Sequence, residues 1–250
     1  MSAVNAAKLA PADLAPSLIE RATTLDWVRI AAELDQRGYA LTGPVLSAAE
    51  CADISGGYSS ETGFRSRVVM ARHSFGRGEY KYYSYPLPDP VAALRTALYP
   101  GLSRVANRWN TAMKLDERFP DDHGAYLERC HAAGQTRPTP LILEYGAGDY
   151  NCLHRDLYGD LVFPLQAAFL LSAPGDDFTG GEFVLTEQRP RMQSRVEVVS
   201  FGQGEGVIFA VNQRPVQGTR GTYRVALRHG VSPVRSGRRH TLGIIFHDAT

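Results

Sequence analysis

Leu141-Ile142-Leu143-Glu144-Tyr145-Gly146-Ala147-Gly148-Asp149-Tyr150-Asn151-Cys152-Leu153-His154-Arg155-Asp156 reads as an apolar strand, a glycine-rich turn and an extended segment ending in a histidine and an aspartate two residues apart. Alternate side chains of an extended chain share a face, so His154 and Asp156 point to one side and Arg155 to the other. Downstream, the apolar run Ala167-Ala168-Phe169-Leu170-Leu171, the turn at Pro174-Gly175-Asp176 and the run Gly180-Gly181-Glu182-Phe183-Val184-Leu185 give strand, turn, strand again.

A second histidine lies in Arg228-His229-Gly230-Val231-Ser232-Pro233-Val234-Arg235-Ser236-Gly237-Arg238-Arg239-His240-Thr241-Leu242-Gly243-Ile244-Ile245-Phe246. Two histidines and one carboxylate can hold three adjacent positions on a metal and leave the others open. With this element in place the chain resembles the Fe(II)/2-oxoglutarate-dependent dioxygenases. Their pattern is His-x-Asp, a distant His, and a basic residue about ten positions later that opens the final core strand. The resemblance covers roughly Leu141 to His247. It implies a mainly β fold with flanking helices: a double-stranded β-helix (jelly roll, cupin-like) core over about 139–250, with the metal inside one open end, plus an N-terminal helical support.

Carried over by position, the resemblance implies that His154, Asp156 and His229 bind Fe(II). It also implies that Arg239 pairs with the distal carboxylate of 2-oxoglutarate, and that Tyr145, nine residues before the first ligand, lies near this co-substrate. The resemblance further implies O2 as the second co-substrate and stimulation by ascorbate. The activity implied is oxidative decarboxylation of 2-oxoglutarate coupled to C–H hydroxylation. Strand alternation prefers Arg239 to Arg238, because Arg239 and Thr241 share one face while Leu242, Ile244 and Phe246 share the other. An arginine fork and a hydroxyl can then grip one carboxylate from a single face. A one-residue shift of that strand would bring Arg238 in instead. Among the other histidines, His240 falls on the face opposite Arg239 and His247 at the far end of the barrel. His73, His123 and His131 read as surface or capping residues.

The chain has 250 residues and a formal charge of +1, enough length for one sizeable core. Cys51, Cys130 and Cys152 show no paired spacing, so neither a disulfide framework nor a zinc cluster is indicated, which points to a reducing cytoplasm. Residues 1–8 show neither the charged start nor the apolar core expected of a secretion signal, and no apolar run approaches membrane-spanning length. No membrane association and no obligate protein partner are expected.

Residues 1–20 read as a loose arm, and 21–250 as a single domain whose support and lid occupy about 21–138. Thr24 or Asp26 caps a helix that Gly38 ends, Tyr39-Ala40-Leu41 is a strand, and Ser47-Ala48-Ala49-Glu50 is a capping box for a second helix. Asp89-Pro90 opens another helix, which Pro100-Gly101 should interrupt. Asp121-Asp122 caps one more, closed by Gly134. Phe64 to Tyr85, rich in arginine and tyrosine, is expected to line the substrate entrance as a lid, although tyrosine at period-two spacing also describes a half-buried strand.

Gly78-Glu79-Tyr80-Lys81-Tyr82-Tyr83 with Pro86-Leu87-Pro88, Tyr99-Pro100 and Ala106-Asn107-Arg108-Trp109 resemble a bacterial subfamily grouped with AlkB-like oxidative demethylases of alkylated DNA or RNA. Residues 186–240 hold ten arginines against three glutamates, a local excess that could follow a phosphate backbone. AlkB-type demethylases place their co-substrate arginine farther along and carry a second one six residues later, where this chain has Ile245. Hydroxylation of a protein side chain or small molecule is the alternative substrate reading. A catalytically silent jelly-roll binding or sensing module is the alternative of another class.

Overall fold

The computed structural model describes residues 16–157 and 159–250. Helix α1 (Leu18–Thr23) starts at Ser17, whose hydroxyl and Glu20 form a capping box. Residues 18–20 therefore belong to a helix and not to the loose arm expected over 1–20, since the box satisfies the free amides locally; residues 1–15 lie outside the described residues. Helix α2 (Trp27–Arg37) is capped by Asp26 and stopped by Gly38 in the left-handed conformation. Strand β1 (Tyr39–Pro44) follows, then α3 (Ala48–Gly56), with the Ser47–Glu50 capping box in place.

The tyrosine-rich segment forms β2 (Phe64–Val69), β3 (Gly76–Arg77) and β4 (Glu79–Tyr83). Helix α4 (Asp89–Ala112) then runs straight through Pro100, against the interruption expected there. A mid-helix proline removes one backbone hydrogen bond, yet α4 buries Leu94, Leu98, Leu102 and Val105 on both sides of it, and this packing outweighs the lost bond. Gly101 serves packing too. A Cβ there would lie 2.3 Å from the Trp27 ring, so the glycine lets that indole lie against the helix. Helix α5 (His123–Ala132) is capped by Asp122.

The remaining strands are β5 (Leu141–Gly146), β6 (Tyr150–His154), β7 (Leu165–Leu170), β8 (Phe178–Gly180), β9 (Phe183–Gln188), β10 (Arg195–Val199), β11 (Glu205–Ala210), β12 (Gln213–Gly218), β13 (Gly221–Val231) and β14 (Val234–Ile244). They form two antiparallel sheets, the jelly roll expected. The larger follows the order β1-β11-β7-β14-β5-β4-β2, with β8 on β14; the smaller follows β10-β9-β13-β6-β3, with β12 on β13. Strands β1 to β4 thus extend both sheets, so the helical support and the core interleave. The segment expected as a lid is mostly sheet, because Tyr80 and Tyr82 find backbone partners on β5 while Gly76 and Arg77 pair with β6.

A buried polar clasp fixes the end of β14. Arg95 on α4 donates to the carbonyls of Ile245 (2.8 Å) and His247 (3.0 Å) and pairs with Asp248 at 2.7 Å, both side chains being almost wholly buried. His123, expected at the surface, is buried with Nε2 2.9 Å from the Phe246 carbonyl. It sits at the first position of α5, but that helix packs inward. A buried ion pair is tolerable when its remaining groups are hydrogen-bonded, as here, and the clasp holds the strand that carries Arg239.

Candidate active site

Register places the candidate ligands. Strands β13 and β6 pair with His229 opposite His154, and their rings stand 4.2 Å apart between centroids. Asp156 lies just beyond β6, with one carboxylate oxygen 3.3 Å from His154 Nε2 and the other 3.3 Å from His229 Nε2. All three donor atoms fall within 4.8 Å of one another, close enough to share a metal ion. His154 Nδ1 lies 2.8 Å from the Cys152 carbonyl. Donation of the Nδ1 proton to that carbonyl leaves the Nε2 lone pair for a metal. Phe209 and Phe183 pack on the His229 ring at 4.6 and 6.0 Å and fix its orientation.

Burial pushes the Asp156 carboxyl up, but contact with the imidazoles of His154 and His229 outweighs it and holds the group well below the usual carboxylate range. His229 is lowered by burial and by neighbouring His154. The site is therefore a buried anion flanked by two imidazoles, the donor set that suits a divalent transition metal.

Arg239, Thr241 and Tyr145 lie in the same cavity of about 210 Å³ as the three ligands. Arg239 Nη1 donates to Thr241 Oγ1 at 2.5 Å, so the two share a face as strand alternation requires. Burial lowers the Arg239 guanidinium to about 10, and its Nε has no hydrogen-bond partner among the described residues. Tyr145 is fully buried, and burial raises its phenol to about 12 against the pull of Arg239. Arg238 faces out, with Glu144 3.3 Å away, and His240 binds the same Glu144 on the outer face. His247 lies at the other end, its Nδ1 accepting from the Phe163 amide.

Arg155 does not point away. It lines the cavity mouth with Nε donating to the Leu227 carbonyl at 3.2 Å. Strand β6 ends at His154, so the alternation that predicted the opposite direction stops one residue too soon. Phe75 and Tyr80, from the expected lid, also line the cavity. Gln166, whose buried amide nitrogen has no partner among the described residues, is a cavity residue that the sequence reading passed over. Its signal was a single polar residue inside the apolar strand β7. The arginines of 186–240 do not form one stripe: Arg214 and Arg189 both bind Glu187, Arg195 pairs with Glu197, and Arg239 is internal. No helix among the described residues is long and apolar enough to cross a membrane.

Residues 78–249 match the model of the Oxygenase-NA family, described as an oxygenase catalysing oxidative methylation of damaged DNA. Over 164 residues, 66% of this chain, it is 49% identical to an uncharacterised protein of Mycobacterium tuberculosis, 70% of which is covered. A Pseudomonas putida prolyl-4-hydroxylase structure is similar with a TM-score of 0.50 at 13% identity, covering 90% of this chain and 99% of that one. An oxidoreductase of the 2OG-Fe(II) oxygenase family from Burkholderia pseudomallei gives 0.51 at 15% identity, covering 91% and 93%. At such identities these structures speak for the fold.

Proposed function

The chain belongs to the Oxygenase-NA family, and from that premise we propose that it is an Fe(II)- and 2-oxoglutarate-dependent dioxygenase that removes a methyl group from alkylated nucleic acid. The observation that carries the cofactor assignment is a buried arginine, Arg239, that forms no ion pair with a carboxylate among the described residues, in the same cavity as a His-Asp-His donor set. Burying an unpaired cation is costly, and the distal carboxylate of 2-oxoglutarate would offset that cost. His154, Asp156 and His229 would hold Fe(II); Arg239 and Thr241 would hold the co-substrate, with Tyr145 beside them. Residues 21–250 act as one unit, since both halves contribute strands to both sheets. The three cysteines are free thiols, which suits the cytoplasm.

When bound, Fe(II) with 2-oxoglutarate and O2 supplies the oxidising equivalents, 2-oxoglutarate leaving as succinate and CO2 while an N-methyl carbon gains a hydroxyl and departs as formaldehyde. The residues of this chain position and shield. The Cys152 carbonyl and the two phenylalanines orient the imidazoles, and the apolar wall of Leu143, Phe183 and Phe209 limits water at the site.

The test is an anaerobic titration with Fe(II) and 2-oxoglutarate, followed by addition of a methylated oligonucleotide and O2. A visible charge-transfer band that Asp156→Ala abolishes, then formaldehyde release, is the expected result. A band without formaldehyde from any methylated strand would remove the nucleic-acid substrate and leave the cofactor assignment. No band from folded protein would remove both.

A further inference from the structure

The cavity mouth carries two exposed side chains that take no part in holding metal or co-substrate, Phe75 and Arg155. Phe75 is 47% exposed although it lines the cavity. Its backbone is tied to the strand that bears His154: its carbonyl accepts from the Cys152 amide at 2.8 Å and its own amide donates to Met70 at 3.2 Å. The next residue, Gly76, pairs with Asn151. A Cβ at Gly76 would lie 2.3 Å from the Tyr150 carbonyl oxygen, so the close approach requires glycine. The His73 ring stacks on Phe75 with centroids 5.3 Å apart and planes 23° apart, supporting it from behind.

Arg155 is fixed differently. Its Nε is held by the Leu227 carbonyl on β13. In the smaller sheet β3 and β13 flank β6 on opposite sides. A supported aromatic ring and an anchored guanidinium therefore stand on either side of the strand that carries His154. A ring face attracts a flat π-system, and a guanidinium fork matches a phosphate edge. A nucleotide strand presents both groups at regular intervals, whereas a peptide must supply a particular aromatic and acidic side chain to do so. Arg72, exposed at the end of the same loop, adds positive charge, whereas Arg77 faces the Asp149 carboxylate at 3.9 Å.

We propose that Phe75 and Arg155 form a clamp on a single nucleic-acid strand, Phe75 stacking on a base and Arg155 pairing with a phosphate, to hold the methylated base over the cavity. The clamp rests on the nucleic-acid reading above and assigns the residues that would enforce it. It also separates two physical contributions. Stacking is insensitive to salt, whereas each phosphate contact on a single strand contributes about −0.7 to the slope of log affinity against log salt.

The experiment is fluorescence anisotropy of the full chain with a labelled single-stranded oligodeoxynucleotide carrying one N-methylated base, across a salt series. Phe75→Ala should weaken binding roughly 10-fold or more with the salt slope unchanged, and Phe75→Trp should restore it. Arg155→Ala should flatten the slope by about 0.7, and Arg155→Lys should keep the slope while binding more weakly than the parent. If the parent binds and all four variants bind like it, the clamp is wrong while the nucleic-acid reading stands. If Phe75→Ala changes the slope, or Arg155→Ala does not, the assigned roles are wrong. If the parent itself binds no oligonucleotide, clamp and substrate reading fall together.

Discussion

Arg239 and Tyr145 occupy register-paired positions on β14 and β5, with the guanidinium carbon 5.7 Å from the tyrosine ring centroid and both side chains sealed from solvent. A ring face stabilises a desolvated cation by about 2 kcal/mol, less than the several kcal/mol that burying the charge costs. Thr241 supplies one hydrogen bond, and Nε has no partner among the described residues. The charge of Glu182 acts on the guanidinium from a distance, but no carboxylate among the described residues contacts it, which leaves Arg239 ready for an anion in the cavity.

Arg239→Ala should therefore weaken 2-oxoglutarate binding by about 2–5 kcal/mol, at least some 30-fold in apparent Kd. Arg238→Ala, losing only an exposed pair with Glu144, should stay within about 1 kcal/mol. Thermal-shift titration with 2-oxoglutarate checks both. Equal responses from the two variants would mean that the co-substrate is held elsewhere. In the same assay Arg239→Met should melt no lower than the parent before ligand is added, because it removes a buried cation that contacts no carboxylate among the described residues.

Much of this site was legible because it depends on two local rules. Period-two alternation separated Arg239 and Thr241 from His240, and helix-capping chemistry located α2, α3 and α5. What could not be read depends on contacts distant in sequence. The break expected at Pro100 is overridden by the apolar face of α4 and by Trp27 lying on Gly101. The sheet membership of β2 to β4 depends on β5 and β6, more than sixty residues away along the chain for some pairs, such as Glu79 and Glu144. Arg155 was misdirected because no local signal marks the end of β6 at His154. His123 looked like a capping residue because the carbonyl it meets belongs to Phe246, at the other end of the sequence.

Acid sensitivity follows from His123 and His247. Burial, reinforced by the charge of Arg95, lowers both to about 4, while Asp248 acts in the opposite direction on each, as do Asp122 on His123 and Asp156 on His247. Between about 6.5 and 4 the unfolded chain binds protons that the folded protein refuses, so stability is fully present above about 6.5 and is lost as pH falls toward 4. At pH 5 the loss is up to about 2 kcal/mol per histidine. Asp248, whose carboxyl is held down by Arg95, His131 and Tyr85 despite burial, adds a further loss only below the ordinary carboxylate pKa of about 4. Urea midpoints at pH 7 and pH 5 should converge in His123→Phe relative to the parent. An unaltered difference between the two pH values would show that His123 is not the group that titrates.

Gly101 offers a test of packing in which two effects of opposite sign compete. Replacing a glycine by alanine inside a helix normally stabilises by about 0.5–1 kcal/mol. At Gly101 the new methyl would sit 2.3–2.4 Å from three atoms of the Trp27 indole, and overpacking of this kind costs about 1–3 kcal/mol. The steric cost is the larger, so Gly101→Ala should lower stability by about 1–2 kcal/mol. In a Trp27→Ala background the obstruction is gone and the same substitution should raise stability by the ordinary helical amount. The sign reversal, read from denaturant midpoints of the four proteins of a double-mutant cycle, isolates the contact between α2 and α4. Destabilisation of equal size in both backgrounds would place the cause in the α4 backbone beside Pro100 and not in the indole.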